Sequence, residues 1–162
     1  MLTVIKLLVP YLSLIIIQFV LPKYFNFNNI YPNFIIIYIV FIALNKGSMS
    51  GQISGFIYGF TWDILSTDIF GIRTLTLTVC GYLAGKFNKK LNKDQYLVQI
   101  MLMFICLVIT QLSLFLLYLI IPNDFGNRNL FTNYNSLISV LLTLFLTPIV
   151  FKILNYNLYD SK

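Results

Sequence analysis

The sequence predicts an all-α integral membrane protein of six transmembrane helices, and three observations predict it. Of its 162 residues, 59% are hydrophobic and only 10% charged, against about 25% charged in a typical soluble domain. The apolar residues fall into six blocks, most of them near the roughly 20 residues that cross hydrocarbon. The basic residues, finally, alternate along the chain as six crossings require. One membrane domain, 1–162, accommodates all of this, with approximate spans at 2–21, 30–45, 49–65, 70–87, 96–121 and 137–154.

The first block, Leu2 to Leu21, has Lys6 near its start and looks like a signal peptide. No small-x-small cleavage site follows it, so it reads as an uncleaved first span with Gln18 as its one strongly polar interior residue. Pro22 to Tyr31 is rich in Tyr, Phe and Asn, a membrane–water boundary composition. Pro32-Asn33 opens the second block, whose strictly apolar run Phe34–Leu44 has only eleven residues, a length at which a re-entrant segment competes with a crossing. Ile30, Tyr31 and a snorkelling Lys46 extend it to a marginal span, and the charge alternation favours the crossing. Asn45 to Ser48 turns the chain into the third block, Met49 to Leu65. The fourth begins at Gly71 and runs to about Phe87. The fifth, Tyr96 to Ile121, has Thr110, Gln111 and Ser113 near its middle and is long enough to span with tilt. After the polar stretch Pro122–Ser136, the sixth runs from Leu137 to Leu154 and contains Thr147-Pro148, read as a kink.

Six crossings place eight of the eleven basic residues on one side: Lys6, Lys46, Lys86, Lys89, Lys90, Lys93, Lys152 and Lys162. The other side holds Lys23, Asp68, Arg73, Asp124 and Arg128, nearly balanced. The positive-inside bias then makes both termini cytoplasmic. The lysines between Lys86 and Lys93 are therefore mainly topogenic within a net charge of +6, with a secondary role at anionic lipid or at a cytoplasmic acidic partner. Nucleic-acid surfaces instead cluster Lys and Arg on one solvated face, so no nucleic-acid partner is expected. There is no histidine and no glutamate, which removes the commonest general base and metal ligand. Cys80 and Cys106 lie inside apolar blocks and read as small buried residues rather than a disulfide or ligand pair. No cofactor, metal or catalytic site is expected.

One stretch organises the rest. Gly47, Gly51, Gly55, Gly59 and Asp63 recur every four residues, forming a single slowly rotating stripe on a helix. Small residues at this spacing let a second helix backbone approach closely in lipid, so the stripe is a helix-packing face or a partner interface. It ends in Asp63, a carboxylate that is costly in a bilayer unless it is paired or faces water. Arg73, ten residues on, is the plausible partner. The two read as an ion pair locking adjacent helices, with a coupling site in an outward pocket as the functional counterpart. Asp63 with Asp68 as a proteolytic pair is disfavoured, because catalytic carboxylates need to share one site and these sit on one helix end and its adjoining turn. Gln111 with Thr110 and Ser113 reads as interhelical hydrogen-bonding glue.

These residues resemble a known family, the rod shape-determining protein MreD. That family has a short second span opening on Pro-Asn or Pro-Asp, here Pro32-Asn33 followed by FIIIYIVFIAL. It then has Gly-Phe-x-x-Gly-x-x-x-Asp-x-x-Ser, here Gly55-Phe56, Gly59, Asp63 and Ser66. A Gly-x-Arg-x-Leu follows, here Gly71, Arg73 and Leu75, and then Tyr82-Leu83. The resemblance is carried by Pro32 to Gly85. It implies a non-enzymatic component of the bacterial cell-elongation machinery, acting with the bitopic partner MreC and, through it, with MreB filaments and cell-wall synthases. The implied fold is similar to the substrate-binding subunit of energy-coupling-factor transporters. A vitamin-binding subunit of that kind is therefore the alternative reading, although the first span lacks the Ala-x-x-x-Ala-type face typical of such subunits.

Overall fold

The structure, a computed structural model, describes residues 13–18, 20, 30–66, 70–87, 96–120 and 134–159. The described residues form helices and their connections, with no strand among them. Helix α1 is seen at residues 13–18 and 20. It is followed by α2 (Phe34–Lys46), α3 (Ser48–Leu65), α4 (Ile72–Lys86), α5 (Tyr96–Ile120) and α6 (Tyr134–Tyr159). Lys23, Asp68, Lys89, Lys90, Lys93, Asp124, Arg128 and Lys162, which carry part of the expected charge alternation, lie outside the described residues.

The axle of the bundle is α2, the shortest of the five bounded helices. Its side chains from Ile35 to Leu44 are buried on nearly every side, with Ile36, Ile37, Ile39, Val40, Ala43 and Leu44 fully enclosed. A continuous Ile/Val/Phe run has no polar face to present to water, so only complete enclosure or lipid suits it. Thirteen residues rise about 20 Å, less than the roughly 30 Å hydrocarbon core. Ile30 and Tyr31, expected to lengthen this span, are not helical; the helix begins at Phe34. Asn33 explains the start, because its side chain accepts the Ile36 N–H at 3.2 Å as an N-cap.

Neighbouring contacts fix the directions of the helices. Ala43 lies against Gly51 and Tyr38 packs edge-on to Tyr58 at 5.7 Å, so α2 and α3 are antiparallel. Asn33 meets Thr143 and Phe41 meets Phe151, so α2 and α6 are parallel. Thr143 is nine residues into α6, which therefore starts about 13 Å beyond the N-terminus of α2. Two described helices, α5 over Tyr96–Ser113 and α6 over Leu137–Asn155, are long and apolar enough to cross a membrane. Both expose apolar side chains outward, among them Leu97, Met101, Phe104, Leu141 and Phe145. Pro148 sits within α6, as its place in the sixth block implied.

The reversal from α2 to α3 is made at one residue, Gly47, with φ +92°. Its N–H still closes α2 onto the Ala43 carbonyl at 2.9 Å, while its carbonyl accepts the Gly51 N–H at 3.1 Å and opens α3. A left-handed backbone of this kind suits glycine alone among common residues.

Candidate interhelical site at the α3–α4 hairpin

The closest helix pair is α3 and α4, running antiparallel along the glycine stripe. A Cβ on Gly51 would collide with the Gly81 carbonyl and the Ala43 side chain, and one on Gly55 with the Leu77 carbonyl. On Gly59 it would meet the Thr74 backbone. The relation is reciprocal, since a Cβ on Gly81 would strike the Gly51 carbonyl, and one on Gly85 the Ser48 backbone. Two backbones thus touch along most of the seam, in the way that small residues every fourth position allow. The sequence reading named only the α3 half. Gly81 and Gly85 supply the other half, and their own four-residue spacing was the available signal.

Asp63 closes the end of this seam at the α3–α4 turn and is 3% exposed. Its Oδ2 accepts the backbone N–H of Gly71 at 3.0 Å and of Thr74 at 2.9 Å, and the Thr74 hydroxyl at 2.5 Å. Its Oδ1 accepts the Arg73 N–H at 3.3 Å. These are N-terminal groups of α4, which have no intrahelical acceptor. A carboxylate there is favoured both by the hydrogen bonds and by the positive end of the helix dipole. Gly71, the residue before α4, has φ +98°, which aims its N–H back at Asp63.

Arg73 reaches Asp63 through its backbone N–H. Its guanidinium carbon stands 4.8 Å from the centre of the Trp62 ring, a cation–π distance. Ser66 ends α3, its N–H bonded to the Trp62 carbonyl at 2.8 Å. Phe56, Leu75 and Tyr82, the remaining apolar members of the motif, lie on the outside of the hairpin at 52%, 65% and 42% exposure. Phe56 stacks on Phe60, which packs edge-on to Phe70 of the α3–α4 connection, giving a continuous aromatic row on the exposed side of the hairpin. Asp68 lies outside the described residues.

A second polar knot secures Pro32-Asn33. Gln18 donates to the Pro32 carbonyl at 3.2 Å and accepts the Phe34 N–H at 2.9 Å. From α6, Ser139 accepts the Tyr31 N–H at 3.3 Å and Thr143 the Asn33 N–H at 3.1 Å. Non-helical backbone at membrane depth persists only where protein satisfies it, and three helices meet here to do so. Between α4 and α5, the hydroxyls of Thr76 and Ser113 hydrogen-bond at 3.0 Å, the interhelical glue expected of Ser113.

Searches of curated proteins and of solved structures return no match. A family model, rod shape-determining protein MreD, matches residues 1–157. The knot at Pro32-Asn33 and the hairpin from Gly55 to Tyr82 fall within that match, which leaves out only the last five residues. The protein belongs to the rod shape-determining protein MreD family, a membrane component of the machinery that sets rod shape.

Proposed function

We propose that the chain is a non-enzymatic, six-span scaffold of the bacterial cytoplasmic membrane, with both termini cytoplasmic. In this role it holds an MreC-like bitopic partner and, through it, supports MreB-linked peptidoglycan synthesis. The observation that carries the reading is the fused α3–α4 hairpin. With the glycine stripe filled by α4 and the outer turn fastened by Asp63, the hairpin is a rigid unit suited to presenting a surface. The stripe is therefore assigned to packing within the bundle. The partner's span is assigned to the exposed side of the hairpin, where Phe56, Phe60 and Phe70 form a row.

The vitamin-binding alternative needs a receptive outward end. Helices α2 and α4 both begin at that end, and their N-terminal N–H groups are taken up by Gln18, Asn33, Thr143 and Asp63. Helix N-termini are ready anion sites when free, and these are occupied by the protein itself. This favours the scaffold.

Depletion in the native host tests the role. Cells lacking the chain should widen and round, recover rods with the wild-type chain, and remain round with Gly55→Leu. Rods of unchanged width after depletion would refute it.

A further inference from the structure

The chain has two cysteines in 162 residues, and they lie against each other. Cys80 of α4 and Cys106 of α5 are both buried and both free thiols. The Cys80 thiol donates to the Cys106 carbonyl at 3.5 Å, and the Cys106 thiol points back at the Cys80 carbonyl at 3.9 Å. A buried residue touches roughly 6–12 others, so a second cysteine placed at random along this chain would land in contact about one time in twenty. Small-residue packing would be served as well by alanine or serine at either position. Packing accounts for each cysteine singly; it does not account for their meeting.

We propose that Cys80 and Cys106 are a redox-sensitive clasp that ties α4 to α5 when a two-electron acceptor of the quinone class reaches it through the bilayer. In the closing step the two S–H bonds break and one Sγ–Sγ bond forms. The two electrons and two protons pass to the quinone, which becomes a hydroquinone. Both thiols are buried within apolar helices, so an oxidant that partitions into the bilayer suits the site. The clasp lies at the junction of the α3–α4 hairpin with α5, so oxidation would stiffen the scaffold without touching the aromatic face of α3.

The test uses the full chain in native membranes, with decylubiquinone as the lipid-soluble oxidant. Samples are then denatured and alkylated with N-ethylmaleimide before intact-mass measurement. The expected result is a monomer that takes up two alkyl groups before oxidation and none after, with alkylation restored by dithiothreitol. Cys80→Ser and Cys106→Ser should each take up one group under every condition. Two alkyl groups after oxidation, in membranes where a lipid-tethered dithiol is fully oxidised, would overturn the clasp. So would a disulfide found only between two copies of the chain.

Discussion

Thr74 gives Asp63 two hydrogen bonds, one from its backbone N–H at 2.9 Å and one from its hydroxyl at 2.5 Å, both to the same carboxylate oxygen. Asp63 ends the glycine stripe of α3, and Thr74 is the third residue of α4, directly across from Gly59. The contact joins the two parts of the hairpin that matter most, the backbone seam and the cap. Close approach of the helices puts the carboxylate within reach of the α4 N–H groups, and the carboxylate in turn holds the start of α4 down on α3.

Removing the carboxylate should therefore cost more than removing any one donor. Asp63→Ala strands the N–H groups of Gly71, Arg73 and Thr74, at about 1–3 kcal/mol for a buried group left unsatisfied. Thr74→Val removes only the hydroxyl bond, at about 1 kcal/mol. Asp63→Asn, which keeps one acceptor oxygen, should fall between them. Unfolding midpoints of the purified chain in one detergent give the order directly.

Arg73→Ala leaves the backbone N–H that Asp63 accepts, so it should cost less than Asp63→Ala. The two residues are in direct contact, so a double-mutant cycle should show a coupling of about 0.5–3 kcal/mol. Strictly additive losses would show that the Arg73 side chain plays no part in the cap.

Along the seam, one methyl group is already too large. Gly55→Ala sets a Cβ against the Leu77 backbone, which cannot swing aside as a side chain would. Overpacking costs about 1–3 kcal/mol and more when backbone must move. Gly55→Leu should abolish accumulation of the protein. Leu75→Ala, on the exposed side of α4, should stay within about 0.5 kcal/mol of wild type. Immunoblots of membrane fractions and melting of the surviving variants separate these outcomes.

At the other knot, Gln18→Leu should cost about 2 kcal/mol, because it orphans the Phe34 N–H and the Pro32 carbonyl together. Thr143→Val should cost about 1 kcal/mol through the Asn33 N–H alone. Amide hydrogen exchange at Asn33 and Phe34 should quicken in both variants, and quicken more in the first.

The glycine stripe was legible from spacing because a four-residue period is a property of one helix. Its partner was harder to read, since pairing Gly51 with Gly81 depends on the tertiary approach of two helices. The same limit applies to Asp63. The sequence marked a buried carboxylate needing compensation, and charge made Arg73 the visible candidate. Backbone N–H groups carry no signature in a sequence, so the cap on α4 had no letter to announce it. Gln18 stood out as polar within an apolar block, but its targets lie fourteen and sixteen residues away in a turn whose geometry only the fold defines. Length, a snorkelling Lys46 and the charge alternation make the short second block a marginal span in the sequence. Enclosure by its neighbours, which length does not encode, is what lets a thirteen-residue helix sit at the centre of the bundle.

The most direct test of the scaffold reading is co-purification of the chain from its native membranes in gentle detergent, with mass spectrometry of what accompanies it. Wild type should bring down a bitopic protein with an outer domain, together with wall synthases or an actin-like filament protein. A Phe56→Ala/Phe60→Ala variant should remain folded and lose them. Recovery of an ATPase pair with a second helical membrane subunit would contradict the account and make this chain a solute-capture component.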